Sequence, residues 1–219
     1  MSDSQARPRP NRRRFTPIAL GAGVLGTVLL SLSMTGTLSG FAASITNNTN
    51  TAGSGSLVME EKTTGGTPVT CLSTDGGTVS TNTATCSTIN KFGGSMTMVP
   101  GGPAVNTPIT IKNIGSVAAG TFTLTHGATC TQSNNGAQNG TALDLCAKLN
   151  VVITSGATTV FSGTAASLAA APASAITMPP APAAGVSVPF NIAVSLDPSA
   201  GNTYQGLAAS LPLTWAFAS

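Results

Sequence analysis

The chain has 219 residues and a formal net charge of +3, and only 7% of its residues are charged. All five arginines lie before residue 15, so the chain from Ala43 onward has four lysines and five acidic residues, a net charge of −1. Neutralising nucleic-acid phosphates requires a basic stripe, and this composition excludes a nucleic-acid partner.

Residues 1–42 have the pattern of an export signal peptide. A block of arginines precedes an uncharged run from Phe15 to Leu38, and small residues follow, with Gly40 and Ala42 at the two positions that a signal peptidase reads. We therefore expect cleavage after Ala42 and a secreted, extracellular or cell-surface protein that has no membrane contact after cleavage. Two alternatives stay open: the run is long enough to be kept as an anchor, and the triple arginine before Phe15 resembles a twin-arginine signal.

Residues 43–55 form an uncharged, Asn- and Thr-rich tail, which we expect to be flexible. The remaining residues, 56–219, are one domain's worth of chain, and their Thr, Val, Gly and Asn content favours strands joined by turns. Apolar residues alternate most clearly from Val186 to Leu196 and from Leu207 to Phe217. Shorter strands are predicted at Leu57 to Glu60, Pro68 to Leu72, Ser95 to Val99, Pro108 to Asn113, Gly120 to Thr125, Leu149 to Thr154 and Thr158 to Phe161.

About nine short strands predict an all-β fold, an antiparallel two-sheet sandwich that is jelly-roll-like. The Ala- and Pro-rich residues 164–185 are expected to form a surface excursion with at most one or two helical turns, because four prolines stop a longer helix. In the last predicted strand the core residues share one face: Leu211, Leu213, Trp215 and Phe217.

The four cysteines predict two disulfides. An even number of cysteines in an exported chain indicates disulfide bonds, and three connectivities are possible. Sequential pairing of Cys71 with Cys86 and of Cys130 with Cys146 is favoured, because each bond would close a loop rich in turn-forming residues. A metal site is the alternative, but the close C-x2-C pairs typical of zinc sites are missing.

The sequence carries no motif for catalysis. His126 is the single histidine, and the chain contains neither H-E-x-x-H nor G-x-S-x-G. We therefore predict that the protein is not an enzyme and uses no metal or other cofactor.

Six short motifs follow one another along the chain: Gly55 to Met59, Val99-Pro100-Gly101, Ile109 to Ser116, Val160 to Thr164, Asn202 to Gly206 and Leu213 to Ala218. Their order resembles that of the TasA/camelysin-type exported biofilm-matrix proteins of Gram-positive bacteria. The resemblance implies a jelly-roll sandwich that assembles into extracellular fibres, in which an N-terminal strand of one subunit completes a sheet of the next. The metallo-endopeptidase activity ascribed to camelysin has no matching metal-ligand motif in this sequence.

The sequence therefore predicts a structural subunit of an extracellular fibre or biofilm matrix, a homo-polymer formed through N-terminal strand donation. Leu57, Val58 and Met59 are the predicted assembly residues, because they are the first large apolar side chains after the tail. A surface-binding or adhesion module is the first alternative, and a camelysin-like metallo-endopeptidase is the second. The tail itself has a further interpretation as a simple spacer.

Overall fold

A computed structural model describes Ile45, Asn47, residues 50–77 and residues 80–219. The predicted export signal, residues 1–42, lies outside these residues. The part of the chain that is described contains no helix long and apolar enough to cross a membrane. Residues Gly53–Ser219 form one unit, and the following description concerns that unit.

The larger sheet has six antiparallel strands in the order β2-β1-β3-β8-β6-β7. Its strands are β1 (Met59–Thr63), β2 (Thr70–Leu72), β3 (Val105–Asn113), β6 (Leu149–Ser155), β7 (Thr158–Thr164) and β8 (Ser187–Leu196). Strand β8 lies in the middle and buries every second residue from Val188 to Val194. Pro189 in β8 is tolerated because β6 pairs only with residues 191–196 of β8, so no ladder bond on that side is lost.

Two smaller antiparallel strand pairs are formed by the same two stretches of chain, residues 121–134 and 207–218. Strand β4 (Thr121–His126) pairs with β10 (Leu213–Ala218), and β5 (Thr131–Asn134) pairs with β9 (Leu207–Ser210). Between the pairs, residues 127–130 lie opposite Leu211 and Pro212, where the Pro212 carbonyl accepts a hydrogen bond of 2.8 Å from the Gly127 N–H. The strand predicted from Leu207 onward is therefore divided, since Pro212 has no N–H to continue a ladder.

The helices are short. They are α1 (Leu145–Lys148) and α2 (Ala165–Ala169), with two 3-10 turns at Ala173–Ala175 and Asn202–Tyr204. A capping box begins α2: the Thr164 hydroxyl accepts from the Ser167 N–H at 3.1 Å, and the Ser167 hydroxyl accepts from the Thr164 N–H at 2.7 Å. The excursion predicted with at most one or two helical turns contains α2, whereas α1 was not predicted.

The hydrophobic core lies where the β4–β10 pair packs on the larger sheet. The Phe190 ring centroid is 4.5 Å from that of Trp215 and 5.8 Å from that of Phe122. Of the four predicted core residues, Leu211 and Trp215 are buried, and Leu213 and Phe217 are half-buried against the same cluster. Removal of this shared apolar surface from water is the main stabilising term.

The structure confirms an all-β fold of antiparallel strands and both disulfides, Cys71–Cys86 and Cys130–Cys146. The strand predicted at Ser95 to Val99 is wrong. Those residues form no strand, and Met96 and Val99 are exposed. The sequence analysis also missed β5, which has no large apolar residue to mark a period of two.

Candidate functional site: a groove beside strand β10

Both ring nitrogens of His126 lie within hydrogen-bond distance of backbone carbonyl oxygens. Its Nδ1 lies 3.0 Å from the Gly127 oxygen and its Nε2 lies 3.0 Å from the Ala171 oxygen. The ring thus links the end of β4 to the Ala- and Pro-rich excursion. Across the described ranges, no group of three or more His, Cys, Asp or Glu side chains could hold a metal ion.

A groove with a cavity of about 580 Å³ lies along one side of β10. Residues 209–215 form one wall, and residues of β1 and β2 contribute to its base. The other wall is part of a segment without regular strand structure, residues 83–92, which we call the cover segment. The groove therefore separates a sheet strand from a stretch of chain that belongs to no sheet.

Among the residues that the structure describes, no strand pairs with β10 on the side away from β4. The bond from Gly127 to Pro212 fixes the alternation of the β4–β10 ladder, so that Thr214 and Ala216 direct their backbone groups at β4. Leu213, Trp215 and Phe217 consequently direct their N–H and C=O groups away from β4. Their side chains point into the core, and no residue of β10 is charged.

A buried ion pair lies at the base of the groove. Glu61 of β1 is only 7% exposed, and its carboxylate oxygens Oε1 and Oε2 lie 3.0 Å and 3.1 Å from the ammonium nitrogen of Lys91. The Trp215 indole N–H donates to the same carboxylate at 3.2 Å. One carboxylate therefore joins β1, the cover segment and β10.

The sequence analysis did not single out Glu61 or Lys91. Glu61 lies on the inward face of a five-residue strand, in register with Cys71 of β2 and Ile111 of β3. The only signal in the sequence was that Glu61 lies two positions after Met59, so both side chains face the same side of an extended strand. Lys91 lies in an irregular segment, where no periodicity indicates which side chains turn inward.

The cover segment is held by side chains and one disulfide. Cys86 bonds to Cys71 of edge strand β2, Lys91 pairs with Glu61, and Ile89 is buried in the core. Its first residues alternate as in a strand, with Ala84 and Cys86 half-buried and their neighbours exposed. Among the described residues, however, no ladder joins the cover segment to β2 or to β10.

The predicted assembly residues are bonded within their own chain. Met59 begins β1 and its carbonyl accepts from Ser73, whereas the Val58 carbonyl accepts from Ile114. The Leu57 carbonyl accepts from the Asn82 side-chain amide at 2.6 Å. Donation of these three residues to another subunit would therefore require the exchange of β1 itself.

A second cavity of about 590 Å³ lies between residues 90–100 and the chain around α1 and β9. Beside it, the Tyr204 hydroxyl donates to the Asp144 carboxylate at 2.7 Å, and this hydrogen bond raises the pKa of Tyr204 above its ordinary value. Tyr204 is the one titratable side chain among the described residues that line this cavity.

No protein-family model matches the chain, and a search among curated proteins found no match.

Proposed function

We propose that this protein is an exported structural subunit whose copies join by strand addition at β10, forming an extracellular fibre or a component of a biofilm matrix. One observation carries the proposal. The outer edge of β10 is uncharged, it pairs with no strand of the described residues, and it adjoins a groove with a cavity of about 580 Å³.

The residues of β10 themselves favour pairing with another chain once the edge is accessible. Sheet proteins usually block their edges with charged residues, prolines or bulges. Strand β10 has none of these between Leu213 and Ala218, and its aromatic residues have high strand propensity. An added strand gains backbone hydrogen bonds, and its inward side chains enter the groove.

The donor in this proposal is the tail, residues 43–55, of a second copy. Leu57, Val58 and Met59 would stay in their own sheet and anchor the tail at its base. An extended strand rises about 3.3 Å per residue, so six residues opposite β10 span roughly 20 Å, and the tail is long enough to supply them. Ile45 is the one large apolar residue in the tail, and it is 92% exposed.

We also infer that the two layers form a jelly-roll-like sandwich of the TasA/camelysin type. The support is the six-stranded sheet facing the shorter β4–β10 and β5–β9 pairs, together with the ordered motifs in the sequence. A donated strand beside β10 would widen the β4–β10 pair from two strands to three. The Cys71–Cys86 disulfide and the buried Glu61 carboxylate both lie at the groove beside β10.

The test compares polymer formation by the chain beginning at Ala43 with that of a chain beginning at Gly55. We expect fibres by negative-stain microscopy and sedimentation only from the longer chain, while far-UV circular dichroism and melting temperature agree. This truncation leaves β1 complete, so a loss of fibres reports the tail and not a damaged sheet.

A pair of point variants tests the donor register. Ile45→Asp should abolish polymer formation, because a carboxylate would enter the groove beside Glu61. Asn50→Asp introduces the same charge at a position of opposite phase in an extended strand, and it should polymerise. A longer chain that stays monomeric at high concentration and under seeding would refute the proposal, and so would equal fibre formation by the chain that begins at Gly55.

A further inference from the structure

We propose that the cover segment, residues 83–92, is a displaceable guard of the β10 edge, and that the Cys71–Cys86 disulfide locks it in place. This inference rests on the proposed function for its consequence, which is control of strand addition. The lock itself is a property of the single chain and can be measured without any polymer.

The guard occupies the position that an added strand needs. Ile89 and Lys91 extend from the cover segment over the groove, and Lys91 reaches the same carboxylate as Trp215 of β10. A strand paired with the outward backbone groups of Trp215 would meet these two side chains. The cover segment must therefore move aside before the edge of β10 accepts a partner.

The backbone differs between the two ends of the cover segment, and the end at Gly93 and Gly94 is suited to such a movement. Asn82 has a φ of 44°, and Gly93 and Gly94 have φ values of 78° and 63°. A positive φ reverses the chain direction locally and is readily adopted by glycine. Asn82 is fixed, because its side chain bonds Ser73 and Leu57, so the paired glycines form the freer end.

The disulfide differs in kind from the other contacts that keep the cover segment closed. In the part of the chain that the structure describes, no ladder holds this segment, so its release costs no sheet hydrogen bonds. Release does break the Lys91–Glu61 pair and uncover Ile89 and Phe92, which pack in the core. Cys86 is bonded to an edge strand, β2, that is itself only three residues long. The disulfide is therefore the one covalent restraint between the cover segment and the sheet.

The second disulfide provides a matched control. Cys130–Cys146 closes a loop of nearly the same length, with a sequence separation of 16 against 15. It joins the chain before β5 to α1, and neither cysteine lines the groove. The two bonds should stabilise the folded chain by similar amounts in the chain-entropy description, so a difference between their variants isolates the guard.

The first experiment uses the single tryptophan as a reporter. The double variant Cys71→Ser/Cys86→Ser should show acrylamide quenching of Trp215 increased about threefold over wild type, and trypsin should cut it faster after Lys91. The variant Cys130→Ser/Cys146→Ser should match wild type in both measurements. Equal quenching and equal cleavage in the two double variants would overturn the lock.

A second measurement does not require Cys71→Ser/Cys86→Ser to fold. In Cys130→Ser/Cys146→Ser the one remaining disulfide is Cys71–Cys86. Dithiothreitol then reduces that bond alone to two thiols and is itself oxidised to its cyclic disulfide. Quenching of Trp215 should rise on reduction and return on reoxidation, and no change on reduction would overturn the lock.

Polymer growth separates this inference from the proposed function. With the lock open, seeded growth of the chain beginning at Ala43 should be at least tenfold faster than with the lock closed. Growth at one rate in both states refutes the control of assembly. If Trp215 becomes accessible and no state polymerises, the proposed function fails, whereas the lock is supported.

Discussion

Replacement of Lys91 by Met tests the ion pair at the base of the groove. The Lys91 and Glu61 side chains are 12% and 9% exposed. Removing the ammonium therefore leaves a buried carboxylate that, among the described contacts, still accepts a hydrogen bond from the Trp215 indole. Breaking a buried pair by deleting one partner costs about 3–5 kcal/mol. For a domain of this size that loss lowers the melting temperature by roughly 6–20 °C, at about 2–4 °C per kcal/mol.

The assay is guanidinium denaturation followed by far-UV circular dichroism, with both disulfides intact. Lys62→Met is the matched control, because Lys62 is the exposed neighbour of Glu61 in β1, and its cost should be within about 0.5 kcal/mol. Adding Glu61→Gln to Lys91→Met should recover much of the loss, since the amide oxygen still accepts from Trp215 and no charge is left unpaired. A cost for Lys91→Met below about 1 kcal/mol would refute the reasoning, because exposed ion pairs contribute in that range. Strict additivity of the two substitutions in the double variant would also refute it.

Three further predictions concern other parts of the fold. Trp215→Ala should cost roughly 3–5 kcal/mol in the same assay, because Trp215 packs on Phe190 at the centre of the core; a value near zero would mean that the β10 face is solvated. Tyr204 is the single tyrosine, and ultraviolet titration should give a pKa above its ordinary value of about 10, which Asp144→Asn lowers. Because folding raises this pKa, its contribution to stability is present below pH 10 or so and is lost as the pH rises through the folded-state value; an Asp144→Asn curve identical to wild type would contradict this. Thr164→Ala removes the capping box of α2 and should cost about 1 kcal/mol by thermal melting, and an unchanged melting temperature would show that packing alone forms the helix.

Strand prediction succeeded where burial imposes a strict period. Strand β8 lies in the middle of the sheet, so its apolar residues alternate over its whole length. Residues 95–99 alternate in the same way, yet Gly93 and Gly94 precede them with positive φ and Pro100 follows. The alternation of residues 95–99 indicated side chains that could face a core. The turns on either side instead direct this segment along the second cavity.

The site was less predictable than the fold because its contacts are distant in the sequence. Glu61 and Lys91 are 30 residues apart, and Trp215 is 154 residues from Glu61. No local rule relates such positions. The pairing of Cys71 with Cys86 could be predicted because both cysteines belong to one short loop rich in turn-forming residues.

A buried ion pair is compatible with displacement of the cover segment, although replacing one partner of the pair alone is costly. Lys91→Met strands the Glu61 carboxylate in a site where it has lost its cation. When the cover segment moves as a whole, both charges reach water, and each recovers the hydration that it lost on folding. The net value of a buried pair is small for that reason, whereas its geometry still sets the position of the cover segment over β10. Lys91→Met should therefore reduce stability and also make the cover segment easier to displace. Trypsin cannot cut at position 91 in this variant. Acrylamide quenching of Trp215 is therefore the measurement that separates displacement of the cover segment from the loss of stability.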